Sequence, residues 1–135
     1  MSSVHTSRAR LLSLWLPVVV YTTAIFFVSG LPVAPLPEEV SDKTGHMAAY
    51  AGLAILAVRA LGGGLPCRVV WRVAWLALVI AGGYGAFDEL HQLLVPGRTG
   101  ELLDWYADVS GAVIGIGACW LWGMIAIRSD RRHRV

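Results

Sequence analysis

Long apolar runs alternate with short polar or helix-breaking stretches along this chain, and four of the runs are long enough to be membrane spans. The first covers residues 11–29, follows Arg8 and Arg10, and stops at the proline-rich stretch 30–37, where proline cannot continue a helix. The second covers 42–61. The third, 72–94, carries its apolar part up to Ala86 and then meets Asp88 and Glu89, and the fourth covers 104–127 and ends at Arg128. A bilayer core of about 30 Å needs roughly 20 helical residues at about 1.5 Å rise each. The pattern therefore predicts an all-α polytopic membrane bundle of about four transmembrane helices. Gly62, Gly63, Gly64 and Pro66 mark one short connection, and Pro96, Gly97 and Gly100 mark another. No polar linker divides the chain, so residues 1–135 are expected to form a single domain.

Composition agrees with a chain that lives in lipid. It is 56% hydrophobic and 15% charged, against roughly 25% charged residues in a soluble domain. Lysine and arginine are retained on the cytoplasmic side of membrane helices. Arg8, Arg10, Arg59, Arg68, Arg72, Arg128, Arg131, Arg132 and Arg134 fall on one side of the predicted helices, and only Lys43 and Arg98 on the other. Both termini are therefore expected in the cytoplasm, with the chain in a bacterial inner membrane. The net charge of +2 does not point to nucleic acid, because the basic residues flank apolar segments and do not interleave with aromatics. Residues 1–30 share features with a cleaved signal peptide, including Val28-Ser29-Gly30, but the apolar run is long for one and favours a retained helix. Cys67 and Cys119 show neither metal-ligand nor disulfide-rich spacing. The six tryptophans suit interfacial belts.

The acidic residues invert the basic pattern. Only Asp130 is on the cytoplasmic side, so candidate chemistry is expected on the outer face. Asp42, His46 and Tyr50 are spaced by four and share one side of the second helix, with Lys43 beside them. Tyr84, Asp88, His91 and Gln92 form a stripe on the third, with Glu89 about a quarter turn away. On the fourth, Asp104 and Asp108 continue into Gly111 and Gly115, small residues that let another helix approach. Blander roles compete with chemistry: Asp42 and Asp104 as helix N-caps, Glu38, Glu39 and Glu101 as solvated loop charges, His5 and His133 as tail residues. Lys43 and Arg98, the latter placed to cap the cluster, can also neutralise Asp88, Glu89 and Asp108 in an ion-pair network that only fixes packing. Gly82, Gly83, Gly111 and Gly115 are expected to serve packing.

In these same residues the sequence resembles the VanZ-like family of bacterial membrane proteins, named for a member associated with resistance to the glycopeptide teicoplanin. Its first block is matched by Asp42, Lys43, His46 and Tyr50, its second by Asp88, Glu89, Gln92 and Arg98, and its third by Asp104, Asp108 and Gly111. Asp108 stands where the family more commonly has Asn, which adds a negative charge. The resemblance covers the second to fourth helices and implies a kind of protein without a settled reaction.

Three functions compete. The leading expectation is an envelope protein whose outward-facing polar cluster binds an anionic lipid-linked or cell-wall molecule through Lys43 and Arg98, linked to glycopeptide tolerance. The alternative is a membrane enzyme of phosphoryl or acyl transfer, with His46 paired to Asp42 or Asp88 as base, or with the carboxylates holding a divalent cation. It ranks lower because no complete metal motif or activated nucleophile is evident; no cofactor is predicted, and magnesium, manganese or zinc would fit only loosely. A proton or solute pathway fits least, since the cytoplasmic halves of the helices are apolar. Oligomeric state is left open.

Overall fold

The computed structural model describes residues 2–32, 37 and 40–132, with side chains for 7–32, 37 and 40–129. Glu38, Glu39, His133 and Arg134, and the side chains of His5, Asp130, Arg131 and Arg132, lie outside the described residues. Four helices follow one another: α1 (Ser2–Ser29), α2 (Asp42–Leu61), α3 (Trp71–Gln92) and α4 (Leu102–Arg132). Each contains a stretch long and apolar enough to cross a membrane, which makes the protein an all-α bundle of the polytopic membrane kind.

The ends of the helices follow local hydrogen bonding. Ser41, not Asp42, caps α2, its hydroxyl accepting the Thr44 N–H at 3.2 Å; Asp42 sits in the first turn, where a negative charge favours the helix dipole. Likewise α4 begins at Leu102, two residues earlier than predicted, because the Glu101 carbonyl accepts the N–H groups of Asp104 and Trp105. Asp104 is thus inside the helix rather than its cap. At the end of α3 the N–H of Leu94 turns back to the His91 carbonyl three residues earlier, which closes the helix at Gln92 instead of 94. Gly63 and Gly64 adopt φ of 74° and 132° after α2, values a side chain would strain.

Helix α2 is the centre of the bundle and lies closest to α4. Gly111 and Gly115 of α4 sit directly on the backbone carbonyls of Met47 and Ala51, leaving no room for a β-carbon. Small residues let helix backbones meet in this way where lipid supplies no hydrophobic drive for association. Leu53, Ala54, Ala57 and Val58 fill the interior from α2, and Ala77, Ala81 and Ala112 complete it from α3 and α4. Gly82 meets Val109, whereas Gly83 faces open space and packs against nothing. Helix α1 is held from outside: the Tyr21 hydroxyl donates to the Ala49 carbonyl at 3.1 Å and the Tyr84 hydroxyl to that of Thr22 at 2.6 Å. Large apolar side chains such as Leu12, Phe27, Leu76 and Leu121 are exposed, as expected when the solvent is lipid. Trp71, Trp75, Trp120 and Trp122 are exposed too, but Trp105 is not a belt residue, since its indole N–H donates to the Gly82 carbonyl at 2.9 Å and ties α4 to α3.

Candidate functional site

Near the end of the bundle where α2 and α4 begin and α3 ends, polar groups from three helices converge. From α2, the four-residue spacing brings His46 and Tyr50 onto one face, their rings nearly parallel with centroids 6.4 Å apart. From α4 comes Asp108, whose Oδ1 lies 2.9 Å from His46 Nδ1. From α3 comes Glu89, whose Oε1 is 3.7 Å from the same nitrogen. The quarter turn that separates Glu89 from the Asp88 stripe is what points it at His46. The imidazole is 9% exposed and the Asp108 side chain not at all.

Asp88 lies beside this trio, 1% exposed, and accepts a hydrogen bond from the Gln92 amide at 3.4 Å through Oδ2. Its Oδ1 has no hydrogen-bond partner, nor do the Tyr50 hydroxyl, Glu89 Oε1 and Asp108 Oδ2. Glu89 is anchored by its other oxygen, Oε2, which accepts the Glu101 N–H at 2.8 Å. That amide is one of those left free at the start of α4, so Glu89 both closes a helix end and presents its second oxygen to His46. His91 leaves the stripe the sequence assigned to it and stacks on Phe26 of α1, centroids 4.2 Å apart.

The expected counter-charges go elsewhere. Lys43 pairs with Asp104 at 3.1 Å and Glu101 at 3.3 Å. Arg98 spans from the Leu31 carbonyl, 3.0 Å from its Nε, to Asp42, 3.4 Å from its Nη1. Both therefore bind connecting segments to helix ends. Among the described residues no lysine or arginine pairs with Asp88, Glu89 or Asp108. His46 likewise meets Asp108, not the Asp42 or Asp88 expected from sequence.

These contacts overturn the expectation of an outward-facing cluster that binds an anionic cell-wall molecule. The His46, Glu89 and Asp108 side chains are enclosed between helices rather than displayed on an outer surface. The cations meant to grip an anion are spent on Asp104, Glu101 and Asp42, and what remains inside is acidic. Its physical origin is the close approach of α2 and α4, which draws the polar stripe inward along the same seam as Gly111 and Gly115.

Gly85 was missed in the sequence. A β-carbon there would lie 2.7 Å from Asp108 Oδ2 and 3.1 Å from its Cβ, so the bare backbone of α3 makes the space that Asp108 fills. The available signal was its position one turn before Glu89. Alanine is about 1 kcal/mol better than glycine inside a helix, yet Gly85→Ala is expected to cost a net 1–3 kcal/mol, roughly the penalty of overpacking. Thermal unfolding in detergent micelles would measure it, and an unchanged or higher Tm would refute the space-making role.

A cleft of about 280 Å³ reaches the cluster from the side of α1. Ala24, Ile25 and Val28 form its apolar wall, while His46, Asp88, Asp42 and Arg98 supply polar groups. A larger hollow of about 600 Å³ at the opposite end is lined by Arg68, Arg128, Trp71 and Trp120, among others, but holds no acidic group or histidine. Of these two hollows, only the cleft beside the cluster carries groups suited to proton transfer or oxygen ligation. Residues that could hold a metal are His46 with Glu89 and Asp108, or His46 with Asp42 and Asp104.

A family model described as VanZ/LLP1 matches residues 8–123 of the chain. No curated protein and no solved structure matches it.

Proposed function

The chain belongs to the VanZ/LLP1 family, and from that premise we propose that it is a polytopic membrane enzyme of phosphoryl or acyl transfer with its reaction centre at His46, Glu89 and Asp108. The observation that carries it is the buried His46–Asp108 contact of 2.9 Å with Glu89 at 3.7 Å. Placing ionisable groups inside a bundle costs several kcal/mol unless they are paired. Packing alone gives no reason to keep three carboxylates there with one histidine. An imidazole oriented by a carboxylate is the arrangement that general acid–base catalysis uses.

In this scheme Asp108 orients the His46 ring, and His46 takes a proton from water or a substrate hydroxyl as that oxygen bonds to the phosphoryl or acyl centre, then returns it to the ester oxygen that leaves. The cleft past Ala24 and Val28 admits the reacting group from the bilayer side. Asp42, Lys43, Arg98 and Asp104 hold helix ends together, which is the part of the polar set that fits a purely structural ion-pair network. Tyr50, Asp88 and Gln92 form the inner wall of the site. The scheme takes the chain as one domain, and the arginine bias supports an orientation with both termini on the cytoplasmic side.

Purified protein in proteoliposomes, offered lipid-linked phosphates and acyl esters in turn, is expected to release phosphate or transfer the acyl group. Absence of turnover across both classes would sink the proposal. Ala24→Trp narrows the cleft from the α1 side and is expected to raise KM with kcat little changed, since it removes binding that substrate and transition state share. An unaltered KM would place substrate entry elsewhere.

A further inference from the structure

We propose that His46, Glu89 and Asp108 bind one divalent cation of the manganese–zinc type. The inference rests on the function proposed above, because it names the cofactor of that same cluster; with an ion held at Nδ1, the His46 ring serves as ligand and a water activated by the ion takes the place of the imidazole base. Each of the three residues brings a donor atom within 4.8 Å of the other two. From His46 Nδ1, Asp108 Oδ1 is 2.9 Å away and Glu89 Oε1 3.7 Å. An ion with bonds of about 2.1 Å separates neighbouring ligand atoms by about 3.0 Å in an octahedron and about 3.4 Å in a tetrahedron. The observed separations bracket both, so a small shift of Glu89 closes the site.

Hydrogen bonding by itself leaves this arrangement incomplete. One ring nitrogen shares one proton with one acceptor, and Asp108 takes it. At 3.7 Å Glu89 Oε1 is beyond hydrogen-bond reach and has no other partner. Unsatisfied polar atoms in a buried site are costly and call for a missing partner. A cation satisfies His46, Glu89 and Asp108 at once. The support around them is that of a metal site, because the Glu101 N–H fixes Glu89 by its far oxygen and leaves Oε1 free toward the histidine.

Charge points the same way. Asp88, Glu89 and Asp108 are buried together while Lys43 and Arg98 pair with other carboxylates. Two positive charges at the trio offset most of that excess. One imidazole nitrogen with carboxylate oxygens suits manganese or zinc, whereas calcium takes oxygen ligands alone, usually six to eight of them. The competing set of His46, Asp42 and Asp104 shares the histidine, but its carboxylates are already ion-paired with Arg98 and Lys43.

The test is a manganese(II) titration of the full chain, chelator-treated in detergent and followed by electron paramagnetic resonance. One ion per chain is expected, displaced by zinc, with nitrogen hyperfine coupling that disappears in His46→Gln. Glu89→Gln and Asp108→Asn should each weaken binding by at least the roughly 10–100-fold that loss of a supporting residue costs a metal site, while Lys43→Ala leaves it unchanged. Should those variants fail to fold, the nitrogen coupling and zinc competition of the unaltered chain decide. Folded protein that binds no manganese, or binds it without nitrogen coupling, overturns the inference. Metal-free protein with full His46-dependent turnover also overturns it and leaves the enzyme reading intact; a bound ion without turnover supports the cation and counts against the enzyme.

Discussion

His46→Gln is expected to reduce turnover by roughly 10²–10⁴-fold, the share that a positioned acid–base group usually supplies. Glutamine keeps a side-chain amide that can donate to Asp108 Oδ1, now 2.9 Å from the ring nitrogen. It therefore preserves much of the buried pairing while removing the group that accepts and returns a proton. That separation matters because His46→Ala would also leave Asp108 and Glu89 without a partner, and breaking a buried pair can itself cost about 3–5 kcal/mol. Turnover in proteoliposomes, set beside Tm in micelles, distinguishes the two losses. If His46→Gln kept its activity within a few-fold of the parent, the histidine would be a packing residue and the enzyme proposal would fall with it.

Gly111→Val is expected to prevent assembly of the bundle or to cost about 3 kcal/mol or more, at the upper end of overpacking penalties. A β-carbon at this position runs into the Met47 backbone carbonyl, and one at Gly115 into that of Ala51. A flexible side chain could turn away, but the backbone of a helix cannot yield without moving the whole element. The displaced element is α2, which carries His46 only one residue from Met47. Gly111→Val should consequently also weaken manganese binding, although it touches none of the proposed ligands. Gly83→Ala is the matched control, since a β-carbon there meets open space. Equal Tm values for the two variants would show that the α2–α4 seam is looser than its geometry indicates.

Much of the fold could be read directly from the pattern of apolar runs. The limits of α2 at residues 42 and 61 coincide with prediction, because a proline-rich stretch and three glycines bound it. Both ends of α3 and the start of α4 moved by one or two residues, where single backbone hydrogen bonds decide, whereas α4 runs five residues further, to Arg132, and α1 begins nine residues earlier, at Ser2. The site was legible as residue types at a helical spacing, and His46, Glu89 and Asp108 were all among the candidates. Their partners were not legible. Spacing within a helix tells which side chains share a face, but Lys43 with Asp104 and His46 with Asp108 are contacts between helices that depend on rotation and separation. Gly85 escaped notice for the same reason, since its purpose lies on α4.

The sequence by itself determined that the chain is four long apolar helices of the VanZ/LLP1 kind, with histidine and carboxylates concentrated toward one end. Length, hydropathy and four-residue spacing are local properties that every helix carries with it. Only the tertiary structure decided that the concentration is an enclosed cluster instead of an outer surface. The reason is the glycine seam: Gly111 and Gly115 let α4 close on α2, and Gly85 opens α3 to receive Asp108. Together they turn residues that were candidates for a membrane face into the interior of the bundle. The same packing sends Lys43 and Arg98 to the helix ends and leaves His46 facing two buried carboxylates.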